Sequence, residues 1–362
     1  MKIKAASLIS MLIVVSLLFS LTACKANDSA DSAATADVQA LLKEEMKKLK
    51  FYGVARLSKD GEVYEAANGT VTRDGSEEIS ADSQFAIGSV SKQFTAACIM
   101  LLKEDGKLSV DDTIDKWFPD YTYGSEITVK NLLTMRSGVR DYVNGADAED
   151  EYFKRYNFAE DATEEENRSA TRNWIFSKEL DFQPDSSAAY SNSNYFLLAE
   201  IVEKASQKSF SEYLKEKLLL PLEMNDTGVA EELSGSARLV PQAYDGEPSE
   251  IKTKGIAFGD GGIISTAADM DKWMTSLREH TVLSKEILDE MTTDYSPDSS
   301  LHYGYGFIVG SDGSISHEGE IDSYFTHEFT VQGEKYNLFI ATNRSQYQKM
   351  SELASYIKYK TR

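Results

Sequence analysis

Apolar positions along the chain first follow a helical period, then alternate, then return to long helical runs before turning strand-like again. Val38, Leu41, Leu42 and Met46 recur at helical spacing and predict an amphipathic helix ending near Lys50. Phe51 to Leu57 and Glu62 to Ala67 read as two strands, with Lys59-Asp60-Gly61 as the hairpin turn between them. From Ser89 a helical pattern runs to about Glu104, where Gly106 stands at the usual C′ position. Ser109-Val-Asp-Asp112 carries a capping box that predicts another helix start, and Thr128 to Thr134 predicts a further short helix. Asn194 to about Lys204 and Phe210 to Leu220 continue as amphipathic helices. Strand-like runs follow at Gly304 to Val309, Tyr324 to Val331 and Tyr336 to Ala341, and an amphipathic helix from Gln346 to Tyr359 closes the chain.

Strands at both ends with helices between them predict an α+β fold. Its antiparallel sheet is built from both ends of the chain and flanked by helices, with a helical subregion in one domain. Residues 141–180 are dense in Asp, Glu, Asn and Arg with scattered aromatics, and read as a solvated helical insertion or lid. No repeat period is visible.

The first residues read as an address. Lys2 and Lys4 precede an uncharged run from Ala5 to Ala23 that ends Leu21-Thr22-Ala23-Cys24. A positive start followed by an apolar stretch is a secretory signal. The ending resembles the bacterial lipobox, which makes residues 1–23 a lipoprotein signal peptide and Cys24 the lipidated residue; an uncleaved anchor is the alternative. Residues 24–36 are small and polar, a flexible tether, so the folded domain is expected over 37–362. Either leader places the domain on the extracytoplasmic face of the cell membrane.

Composition narrows the chemistry. Of the 362 residues 41% are hydrophobic, enough for a sizeable core, and 38 Lys+Arg against 59 Asp+Glu give a formal charge of −21. Loss of Lys2 and Lys4 with the leader makes the exported form two charges more negative. Such a surface repels phosphate backbones, which excludes nucleic acid as a first expectation. Two Cys and four His (His280, His302, His317, His327) exclude a disulfide framework, a zinc-finger array and most all-histidine metal centres, and no metal or cofactor is expected. Hydroxyls, carboxylates, amines and one histidine remain.

Ser-x-x-Lys occurs at Ser89-Val-Ser-Lys92, Ser249-Glu-Ile-Lys252 and Ser355-Tyr-Ile-Lys358, so the motif alone is weak. Context separates the three. Ser89 follows Phe85-Ala-Ile-Gly88 at a strand-to-helix junction, near the unpaired N–H groups of a helix start. Lys92 lies one turn on, on the same face, and a partly buried amine there can act as a general base. The bland reading is a helix cap with a solvated lysine. Tyr190-Ser191-Asn192 adds a phenol able to relay a proton and an amide able to orient a substrate, against the alternative of a packed loop Tyr and a capping Asn. Tyr142-Val-Asn144 has the same outline. His317-Glu318-Gly319 is expected on a turn entering the strand before Tyr324, where Gly lets a substrate backbone approach and His supplies a hydrogen bond or charge.

Ser-x-x-Lys, Tyr-x-Asn and His-x-Gly in this order resemble the penicillin-recognising serine hydrolases: DD-peptidases, class C β-lactamases and related esterases. The likeness covers nearly all of residues 50–345. Gly106-Lys-Leu-Ser-Val-Asp-Asp112, Thr128-Val-Lys-Asn-Leu-Leu-Thr134 with Ser137-Gly138, Pro221-Leu-Glu-Met224 and Gly261-Gly-Ile-Ile-Ser-Thr266 with Asp269 also fit. The resemblance implies that Ser89 is the acylated nucleophile, Lys92 its activating amine and Tyr190 the proton shuttle. It implies that Asn192, His317, Gly319 and Glu320 bind substrate, with the N–H groups of Ser89 and Glu320 as the oxyanion hole. Met135-Arg136 stand where the family usually has His-Thr, Asp185 replaces the usual Gly after Pro184, and Glu320-Ile-Asp322-Ser-Tyr324 replaces a Gly-rich run. Carboxylates at 320 and 322 would disfavour an anionic ligand unless they point away. A neutral His317 grips a substrate carboxylate less firmly than a lysine would. The expected substrate is a D-Ala-containing cell-envelope peptide or ester, as for a DD-carboxypeptidase or penicillin-binding protein. The alternatives are a class C-like β-lactamase, a small-ester esterase, or a non-catalytic wall- or β-lactam-binding protein.

Overall fold

The structure, a computed structural model, describes residues 38–71, 75, 77–144, 162–233, 236, 238–240, 242–244, 247–249, 257–321 and 323–362. The leader, the tether, the middle of the acidic insertion, Lys252 of the second Ser-x-x-Lys and Asp322 lie outside the described residues.

Helix α1 (Val38–Leu49) leads into the hairpin β1 (Gly53–Lys59) and β2 (Glu62–Asn68), joined through Asp60-Gly61 as the turn chemistry predicts. A short strand β3 (Gln84–Ala86) and a single 3₁₀ turn (Gly88–Val90) precede α2 (Ser91–Glu104), and α3 (Val129–Leu133) and α4 (Glu164–Phe176) follow. Next come α5 (Asn192–Ser206), α6 (Phe210–Leu214), β4 (Gly228–Val229), α7 (Ala230–Leu233), β5 (Gln242–Tyr244), β6 (Glu247–Ser249) and β7 (Ile263–Thr266). The chain ends with α8 (Ala267–Glu279), α9 (Lys285–Met291), β8 (Ile308–Val309), β9 (Ser314–Ile321), β10 (Tyr324–Val331), β11 (Tyr336–Thr342) and α10 (Tyr347–Thr361).

The main sheet runs β2-β1-β11-β10-β9-β8. Every neighbour is antiparallel, and the first hairpin zips onto the last strand with Val54 opposite Ala341 and Lys59 opposite Tyr336. The α+β expectation and the sheet built from both chain ends therefore hold. Both faces are covered. Leu338 and Ile340 of β11 pack with Leu42 and Met46 of α1 and Leu353 and Ile357 of α10, while Phe339 and Ala341 join Phe94 and Trp273 on the other side. Every residue of β10 and β11 is buried, as strands covered on both faces require, and Leu338 to Ala341 of β11 form an unbroken apolar run. Each fully buried Leu or Ile contributes about 1.5–3 kcal/mol.

Four local expectations change. Ser109–Asp112 forms a turn, not a helix start. Asp112 accepts from Ser109 N at 2.8 Å, but Lys130 N bonds Val110 O and Val129 N bonds Asp112 O, which pins the segment to residues 127–130. Helix α5 begins at Asn192, and every residue from there to Val202 is buried, so it is a central helix without a wet face. Of 304–309 only Ile308–Val309 is strand, because Gly304 N folds back to Phe307 O. His317-Glu-Gly319 lies inside β9, not on a turn.

The described end of the insertion is docked as well as wet. Helix α4 is capped by a Thr163–Glu166 box, buries Thr171 and Ile175, and sends Arg172 to Glu200 of α5 at 2.6 Å. Among the described residues no helix is long and apolar enough to cross a membrane.

Candidate active site

Ser89 sits in the 3₁₀ turn that joins β3 to α2. Backbone bonds hold that turn in place: Ile87 N donates to Ile263 O at 3.0 Å, and Ile263 N donates to Ser91 Oγ at 3.1 Å. From the other side Thr326 Oγ1 donates to Ile87 O at 2.9 Å. Gly88 takes φ +51, and a Cβ there would lie 2.7 Å from Glu320 N, so the nucleophile turn and β9 are in backbone contact. Gly319 completes the fit, since a Cβ on it would overlap the Ile87 carbonyl oxygen.

Lys92 is fully buried at the start of α2, one turn from Ser89. Its Nζ donates to Ser89 Oγ at 3.0 Å, Asn192 Oδ1 at 2.8 Å and Asp260 O at 2.6 Å. Three donors meet three acceptors, which satisfies an ammonium buried without direct contact to a carboxylate. Burial pushes its pKa down to about 8, while the charges of Asp260 and Asp141 oppose the fall. About a tenth of the amine is therefore neutral at pH 7, enough to serve as a base.

Two carboxylates that sequence reasoning left unassigned frame this amine. Asn192 Nδ2 donates to Asp141 at 3.1 and 3.3 Å, and Asp141 also accepts from Val143 N and Asn144 Nδ2. Asp260 accepts from Tyr142 Oη at 2.7 Å and Phe258 N at 2.9 Å. Tyr142-Val-Asn144, an apparent duplicate of the Tyr190 triplet, is thus the support for both acids. Desolvation raises the pKa of each, with Lys92 acting to lower it. Asn192 is the first residue of α5, and its two ends fix Lys92 and Asp141.

Tyr190 is half-buried, and its phenol hydrogen-bonds Ser89. Lys92 Nζ lies 4.9 Å from its ring centroid. Burial and the two acids push the phenol's pKa well up, so it stays protonated and is suited to pass a proton rather than to act as a phenolate. The ring of His317 lies beside it, centroids 6.1 Å apart. His317 is 3% exposed, and burial followed by the charge of Lys92 drops its pKa to about 4. Its Nδ1 lies 2.6 Å from Glu318 O and its Nε2 3.0 Å from Tyr303 Oη. Glu320 contributes its backbone to the Gly88 contact; its carboxylate raises the pKa of Tyr347 on α10, on the strand face opposite to His317.

The family departures at 135–136 and 185 are coupled. Asp185 adopts φ +63 and its N donates to Arg136 O at 2.9 Å, while Arg136 reaches back to the Asp185 carbonyl and carboxylate. Met135 accepts from Ser191 N at 3.4 Å through its sulfur. Ser355 lies within α10, which packs on the sheet face away from α2, and Ser249 falls in β6 of the separate β5–β6 pair. Asp269, matched to the family pattern, takes Asp226 N and Thr227 Oγ1 and so braces the start of α8. No His, Cys, Asp and Glu grouping able to hold a metal occurs among the described residues.

Comparison with known proteins agrees with this arrangement. A family model described as Beta-lactamase matches residues 38–360. Penicillin-binding protein 4* of Bacillus subtilis is 26% identical over 85% of this chain and 72% of its own length. Teichoic acid D-alanine hydrolase of Staphylococcus aureus is 26% identical over 72% of this chain and 62% of its own. The crystal structure of a penicillin-binding protein from Bacillus halodurans superposes with a TM-score of 0.75 at 22% identity, covering 87% of this chain and 99% of that one, a likeness of fold. The matched region contains every residue of the Ser89 site, and the chain belongs to the Beta-lactamase family of serine hydrolases.

Proposed function

We propose that the protein hydrolyses D-Ala-containing peptides or D-alanyl esters of the cell envelope through a covalent acyl-enzyme on Ser89. The Lys92 Nζ contact with Ser89 Oγ at 3.0 Å, in a site that lowers the amine's pKa, carries this reading. The neutral amine takes the hydroxyl proton as Ser89 Oγ attacks the substrate carbonyl. The N–H groups of Ser89 and Glu320 receive the developing oxyanion, and Tyr190 delivers a proton to the departing oxygen or nitrogen. Water then attacks the ester, its proton returning through the same groups, and the acid product leaves.

A relative named for D-alanine hydrolysis supports the D-alanyl acyl group. The leader ending in Cys24 supports export and lipid anchoring at the outer face of the membrane. An intact Ser89, Lys92, Tyr190 and Asn192 constellation disfavours a binding protein without activity, since folding requires none of these contacts together.

Incubation of the purified protein with a D-alanyl ester, a fluorescent penicillin and a chromogenic cephalosporin tests the reading. Ester or D-Ala peptide turnover that disappears in Ser89→Ala supports it. Rapid cephalosporin turnover would make the chain a β-lactamase, and full activity in Ser89→Ala would refute the mechanism.

A further inference from the structure

His317 stands where a substrate carboxylate would be gripped, yet both of its nitrogens are taken. A carbonyl oxygen only accepts, so Nδ1 carries the proton it donates to Glu318 O, 2.6 Å away. The ring is neutral in this buried position, so Nε2 is an acceptor and Tyr303 Oη donates to it at 3.0 Å. Tyr303 is itself buried, 1% exposed, and its ring packs edge-on against both His317 and Tyr190. The imidazole therefore offers an incoming anion neither a charge nor a free N–H.

Among the described residues its surroundings supply none either. The charged groups acting on His317 are Lys92 from α2 and Glu318 from its own strand. Lys92 spends its three donors on Ser89, Asn192 and Asp260, and faces the acids Asp141 and Asp260. Directly across β10, Glu328 is buried opposite His317 with its proton retained, its pKa pushed up to about 8. Because Tyr190 passes the proton to the leaving group and lies beside His317, this wall is the one the leaving group meets.

We propose that the site accepts acyl donors whose leaving group has no carboxylate, D-aminoacyl esters and primary amides rather than peptides or β-lactams bearing one, and that His317, buried and bonded at both ring nitrogens, sets this selectivity. The inference rests on the serine-hydrolase reading and narrows its substrate class. A carboxylate set against a neutral imidazole finds no cation among the described residues to answer its charge.

The test is a matched pair, N-benzoyl-D-alanyl thioglycolate and its methyl ester, which differ only in the carboxylate of the leaving group. With the full chain at pH 7 the methyl ester is expected to show kcat/KM higher by about tenfold or more. Tyr303→Phe frees Nε2 but leaves the ring buried and neutral beside Lys92, so the preference for the methyl ester should persist from pH 6 to pH 8. His317→Lys, which does not depend on Tyr303, should move the ratio toward the carboxylate by about tenfold. A wild-type preference for the carboxylate with Ser89 acylated overturns this inference alone, as does an unchanged ratio in His317→Lys. Absence of turnover and of Ser89 labelling with either compound overturns the hydrolase reading, and this inference with it.

Discussion

The Asn192 amide nitrogen points at the Asp141 carboxylate, 3.1 and 3.3 Å from its two oxygens, while the amide oxygen of the same side chain holds Lys92 at 2.8 Å. Asp141 thereby sets which way the amide faces, and its charge also holds the Lys92 pKa up. Asp141→Asn removes the charge and weakens the orientation. The expected result is a loss of about tenfold in kcat, with the acidic limb of the pH–rate profile moved to lower pH because Lys92 then deprotonates more readily. A profile with an unmoved limb would show that Asp141 does not act through Lys92.

In the native enzyme, kcat/KM should rise with pH about a midpoint near 8, the pKa to which burial lowers Lys92. Lys92→Ala should lose about 10³-fold or more and lose the limb with it, because nucleophile and base act as a unit. A stopped-flow or steady-state pH series on one ester measures both.

Gly319→Ala tests the oxyanion geometry. The added methyl meets Ile87 O and Thr326 Oγ1, so β9 must move away from the nucleophile turn. One displaced donor typically costs ~10²–10³ in rate. The expected outcome is such a loss in kcat with secondary structure retained by circular dichroism; near-native kcat would contradict an oxyanion hole shared between Ser89 and Glu320.

Glu328 gives a stability prediction. Its Oε2 accepts from Gln93 at 2.6 Å, Gln93 accepts from Trp273, and Oε1 is buried with no hydrogen-bond partner. Burial raises its pKa from 4.5 to about 8, so the folded state binds this proton more tightly than the unfolded chain. Its contribution is fully present below pH 4.5 and is lost as pH rises through 8. Glu328→Gln should be more stable than the parent at pH 8.5, by about 1–3 kcal/mol, and equal to it near pH 5. Thermal melts at the two pH values decide it.

Local signals were legible where chemistry is local. The Asp60-Gly61 turn, the Gly106 helix stop and the short helix after Thr128 stand where the sequence predicts them, whereas the capping box belongs to Thr128 and not to Ser109. Motif order likewise located Ser89, Lys92, Tyr190, Asn192 and His317, which the fold brings together. Asp141 and Asp260 escaped because their contacts to Asn192 and Lys92 span 51 and 168 positions, which no periodicity records. The β9 register escaped too: pairing of His317 with Glu328 on β10 carries the His-x-Gly triplet into the strand interior. The sequence left His317 with a hydrogen bond or charge to offer a substrate, because Tyr303, 14 positions earlier, gave no sign of bonding it.

Formation of an acyl-enzyme on Ser89 is the central claim, and intact-mass spectrometry measures it most directly. The protein is quenched in acid within seconds of mixing with a D-alanyl thioester. The account predicts a mass increase equal to the acyl group, mapped to the peptide containing Ser89 and absent from Ser89→Ala. Turnover of the thioester without any covalent adduct, or an adduct of equal yield in Ser89→Ala, would contradict it.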